Sequence, residues 1–134
     1  MKSVLTSLFL IGGITLFGQT MTNREIITEI NHELGGENWR IQGDNIIVNN
    51  VCFSCGRGLW GVSKVTYEVK YEYWSLQGEG QNTFVLHIKC KDGGDCIEDE
   101  DNPDVGGYTN ELKFPLGDNE KRVNNVLELL KKLK

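Results

Sequence analysis

Residues 65–90 constrain the fold more than any other stretch. Val65, Tyr67, Val69, Tyr71 and Tyr73 alternate with Thr66, Glu68, Lys70 and Glu72. A period of two puts the apolar set on one face of a half-buried strand. β-Branched and aromatic side chains suit that pleated surface. Phe84, Leu86, Ile88 and Cys90 repeat the pattern inward, while Val85, His87 and Lys89 face out, so His87 reads as a surface residue. Between the two runs, residues 77–82 are polar and hold two glycines, which predicts a loop. A sheet solvated on one face is antiparallel. A straight strand over residues 65–76 would reach about 40 Å, at ~3.3 Å per residue. A bend or bulge is therefore predicted near Tyr73 and Trp74, where the apolar face also breaks off.

Around this hairpin the chain supplies two helices and further strands. Thr22 and Glu25 make a capping box, with Met21 and Ile26 in the staple positions. Ile26, Ile27, Ile30 and Leu34 form one stripe, and Gly35 and Gly36 stop the helix, which is predicted over residues 23–34. Two short strands follow, residues 38–42 and 45–53, joined by Gly43 and Asp44. Residues 98–104 are acidic and carry Pro103, which predicts an exposed loop. Residues 108–116 alternate again, with Tyr108, Leu112, Phe114 and Leu116 inward, and Pro115 marks an edge or strand end. A final helix over residues 119–133, capped by Asp118, presents Val123, Val126, Leu127, Leu130 and Leu133. Lysines 131, 132 and 134 suit the negative end of its dipole. The predicted fold is α+β: a mostly antiparallel bent sheet or open barrel of about six strands, with a helix from each end of the chain packed on it.

Lys2 followed by the apolar residues 4–17 reads as a secretory signal peptide, cleaved between Gly18 and Gln19. The apolar run is shorter than the ~18–20 residues a membrane span needs, so no span is expected after cleavage. Residues 19–134 then form a single domain. The formal charge of −5 becomes −6 when the +1 of Lys2 is removed. An acidic exported chain is not drawn to nucleic acid or anionic lipid by long-range fields.

Four cysteines, Cys52, Cys55, Cys90 and Cys96, in an oxidising compartment favour disulfides. Cys90 and Cys96 flank the five residues 91–95, which places them face to face across a second hairpin. The expected pairing is Cys90–Cys96 with Cys52–Cys55. A redox role for Cys52 and Cys55 is the alternative, but such pairs sit at a helix N-terminus and glycines follow here. A zinc site fits poorly, because five residues separate the second pair. Asp99 and Asp101 have calcium-loop spacing, yet Pro103 stands where a third ligand is needed. No metal or cofactor is expected. The glycine-rich residues 56–61 carry Arg57, Leu59 and Trp60. Trp60 either folds back onto the core or, with its neighbours, contacts a partner, in the extreme as an inhibitor's inserted loop. No serine, histidine and acid fall in catalytic spacing and no phosphate loop is present.

The succession of helix, antiparallel strands, and a strand leading into the amphipathic run Val-Leu-Glu-Leu-Leu-Lys-Lys-Leu resembles the PH-like layout of small secreted bacterial domains. The opening Glu-Ile-Ile-Thr-Glu-Ile-Asn-His-Glu-Leu is similar to the start of such domains. The resemblance implies a bent sheet closed at one end by the last helix, and a capacity to bind lipids, peptides or proteins. The reading that emerges is a secreted or periplasmic non-enzymatic binding or accessory module for a protein or envelope component, its oligomeric state open.

Overall fold

The computed structural model describes residues 20–48, 58–76, 78–99 and 106–134. Helix α1 spans Asn23–Leu34, and its first turn carries the predicted box: Thr22 Oγ1 accepts from the Glu25 N–H and Glu25 Oε1 accepts from the Thr22 N–H. Gly35 closes it with φ 73°, a left-handed conformation that glycine adopts without steric cost. Strands β1 (Trp39–Gln42) and β2 (Asn45–Val48) make the predicted tight hairpin. The other strands are β3 (Leu59–Gly61), β4 (Val65–Leu76), β5 (Glu79–Cys90), β6 (Ile97–Glu98), β7 (Tyr108–Thr109) and β8 (Glu111–Gly117). Helix α2 spans Glu120–Lys131.

Among the described residues eight strands, in place of six, form two antiparallel sheets, ordered β1-β2-β3-β6-β7 and β4-β5-β8, that do not close into a barrel. The chain changes sheet three times, first between β3 and β4, and the extra strands arise from the two later changes. It leaves β5 at Cys90 and enters β6 at Ile97, so the predicted cysteine-bracketed hairpin is instead a crossing between sheets. It returns at Asn110, which divides residues 108–116 into β7 and β8 and leaves Tyr108 exposed, against expectation. Pro115 lies on β8, at a sheet edge, as its missing N–H requires.

Side chains of both helices and both sheets meet in one apolar cluster, including Ile26, Ile30, Trp39, Trp60, Leu86, Ile88, Phe114, Val123, Val126 and Leu130. Trp39 meets Trp60 edge-on and lies tilted against Phe114, each pair with centroids 6.0 Å apart. In α2 the docking stripe is Val123, Val126 and Leu130, flanked by Leu129 and Leu133; Leu127 is only half-buried. The helix is capped by Asn119, whose side chain accepts from the Arg122 N–H, and not by Asp118. Two asparagines secure the helices by the same device. The Asn31 amide exchanges both hydrogen bonds with the backbone of Trp39 on edge strand β1, and the Asn23 amide does so with Lys134. The second pair sets the start of α1 beside the end of α2. Among the described residues no helix is long and apolar enough to cross a membrane.

Candidate functional site

The outer face of the three-stranded sheet, turned away from the core, carries a polar arrangement drawn from all three strands. Strands β4 and β5 pair without interruption from Val65↔Cys90 to Leu76↔Glu79. The bulge predicted near Tyr73 is absent; the register break lies between β5 and β8, at Phe84 and Val85. The predicted loop is shortened, because Gly80, Gln81 and Asn82 continue the ladder against Ser75, Trp74 and Tyr73. Strand β8 pairs only from Phe84 onward. Beyond that point, among the described residues, no other strand lies beside β4 and β5, and they form a two-stranded ribbon.

Aromatic residues equip both faces of this ribbon. Tyr71 and Tyr73 are 57% and 64% exposed. Tyr71 packs edge-on against Phe84, centroids 4.8 Å apart. Tyr73 covers Gly80, where a Cβ would run into its ring and into the Trp74 carbonyl. Glycine is required there by that close approach, and the aromatic ring covers the gap it leaves in the strand. On the opposite face Trp74 borders an open cleft of 380 Å³ with Glu79, Gln81, Thr83, Pro115 and Gly117. Thr83 is buried and its hydroxyl accepts from the Gly117 N–H.

Further down the same face His87 lies between two carboxylates. Its Nδ1 meets Glu111 at 2.8 Å and its Nε2 meets Glu72. His87 faces outward as predicted, but at 3% exposure it is no surface residue. It occupies the central strand, so side chains from β4 and β8 close over it. Burial raises the Glu111 carboxyl; the hydrogen bond from His87 and the charges of Lys113, His87 and Lys89 outweigh this and hold it below its ordinary value. The arrangement ties three strands together through one side chain. Each carboxylate serves a different ring nitrogen, and no group of three metal-ligating side chains converges among the described residues.

The residues singled out from sequence fall in several places. Cys90 and Cys96 form the predicted disulfide, with S–S 2.01 Å and Cα–Cα 5.9 Å. Cys52, Cys55 and Arg57 lie outside the described residues, as does most of the acidic loop. Trp60 is 1% exposed and packs in the core; its indole N–H donates to the Tyr67 hydroxyl at 3.4 Å. Burial raises the Tyr67 phenol, opposed by that hydrogen bond. Leu59 is half-buried in β3, opposite Ile47 and Glu98. Residues 58–61 do not form a free loop: a Cβ on Gly58 would meet the Glu98 carbonyl and the Ile97 side chain. Sequence reasoning missed Glu72 and Glu111 because they stand 15 and 24 residues from His87. The chain matches no protein-family model, no curated protein and no solved structure.

Proposed function

We propose that the protein is a secreted or periplasmic, non-enzymatic binding module, and that the β4–β5 ribbon carries its contact surface. The observation behind this reading is the ribbon itself, with Tyr73 exposed on one face and Trp74 at a cleft on the other. Large aromatic side chains contribute most to interfaces, because they bury much area at little entropic cost. The apolar run behind Lys2 and the Cys90–Cys96 disulfide support the exported location. The PH-like layout supports binding over catalysis, and its ligands would be a protein or an envelope component. The test is capture from the host's envelope fraction by wild type and by the double variant Tyr73→Ser/Trp74→Ser. The variant should lose the captured partner while keeping its unfolding midpoint within a few degrees. Equal recovery by the two proteins would remove the ribbon from consideration.

A further inference from the structure

The two edges of the three-stranded sheet are built differently. Edge strand β8 spans Glu111–Gly117, carries Pro115 and is bulged at its pairing with Phe84 and Val85. Shortness, proline and bulges are among the devices that stop a sheet edge from pairing with another chain, together with charged side chains and a covering helix. Edge strand β4 runs through Val65–Leu76 with no proline and no break in register, though it carries Lys70 and α2 packs against it.

The direction of its free backbone groups follows from the ladder. Lys91 N–H donates to the Lys64 carbonyl, and Cys90 N–H donates to Asn110, away from β4. Alternate residues of an antiparallel strand turn both backbone groups to the same side. Thr66, Glu68, Lys70, Glu72 and Trp74 therefore bond to β5. Tyr67, Val69, Tyr71, Tyr73 and Ser75 aim their N–H and C=O groups at the open edge. Among the described residues no strand pairs with that edge and no backbone group outside the sheet bonds to it.

The side chains beside it are self-complementary. Lys70 stands between Glu68 and Glu72, two residues away on each side. Lys70 is 47% exposed, and Glu72 keeps 36% of its side chain exposed while bonded to His87. When two such strands run antiparallel about Tyr71, Lys70 of each copy faces Glu72 of the other. Tyr71 faces its own counterpart, and Val69 faces Tyr73. Opposite charges directly across a strand pair stabilise it, as do aromatic and β-branched pairs. Centring on Val69 also matches charges, but it sets Tyr73 against Val65, which is buried in the body. The tyrosine-centred register avoids that pairing.

We infer that β4 is a self-association edge, through which two copies of this chain join in antiparallel register about Tyr71 into a sheet ordered β8-β5-β4-β4-β5-β8. The inference is independent of the ribbon's face binding a partner. Sedimentation equilibrium on the processed, exported protein tests it. The mass should double as concentration rises, and added salt should reverse this. Tyr71→Pro removes an outward N–H without touching a β4–β5 bond, and should hold the protein monomeric. Lys70→Glu should weaken association about tenfold through two like-charge pairs. A wild type that stays monomeric at every concentration would overturn the inference, even if it took up a strand from another protein. So would a dimer that survives Lys70→Glu, which decides the matter should Tyr71→Pro fail to fold.

Discussion

His87 stands opposite Glu68 and Lys113 in the ladder, yet its hydrogen bonds go to Glu72 and Glu111. Glu111 is one same-face step away on β8; Glu72 is two steps away on β4, with the Lys70–Val85 pair between. Both ring nitrogens can donate only in the doubly protonated imidazole; a neutral ring requires one carboxyl to hold the proton. This buried group therefore ties three strands through charge-assisted bonds. The carboxyl of Glu111 gives the arrangement a pH dependence with a definite sign. Its folded value lies below its ordinary 4.5. Its contribution to stability is complete above 4.5 and is lost as pH falls through the lower, folded value. Glu111→Gln should cost about 1 kcal/mol at neutral pH, the range of a partly exposed charged hydrogen bond. It should also flatten the acid limb below pH 4.5. Urea denaturation of both proteins across that range checks this. Parallel curves, offset by a constant, would show that Glu111 is not the group being titrated.

Local signals were the legible ones. Helix α1 has the limits its capping box and glycine stop predict, because every determinant lies within a few residues. Strand β4 was legible for the same reason, since alternation is a property of neighbours. Helix α2 was legible as an element and in most of its apolar stripe, but packing turns that stripe toward Leu129 and away from Leu127. Val126 is fully buried whereas Leu127 is half-exposed. Burying Val126 is worth roughly 1.5–3 kcal/mol, and a carboxylate in its place has no partner in the core. Val126→Asp should abolish cooperative unfolding, while Leu127→Asp should lower the midpoint and leave the transition sharp. Circular dichroism melts separate the two. Equal loss from both substitutions would mean that the helix docks through a wider stripe.

For the whole molecule, the points where the chain passes between sheets were beyond local reading. Nothing near Cys90 announces that the next strand joins β3 and β7 rather than β5, because the choice depends on pairings made across the chain. Trp60, set in a glycine-rich stretch, was legible as two opposite things, and the residues it packs against, Tyr67 and Trp39, belong to other strands. The disulfide acquires its meaning at this scale. Cys90 ends the strand at the centre of one sheet, and Cys96 precedes the strand that enters the other. A six-residue separation closes a small loop, so the chain-entropy contribution is only about 2 kcal/mol. The bond also fixes where one sheet hands the chain to the other, and β6, with two residues, has little ladder of its own to hold that place. Cys90→Ala/Cys96→Ala should therefore lower the melting midpoint by roughly 5–10 °C, given how a domain of this size converts free energy to temperature. Amide exchange should accelerate first in β6 and β7, ahead of β4 and β5. Exchange that accelerates evenly over both sheets would mean that the disulfide acts on the unfolded chain alone, with no part in holding the two sheets in place.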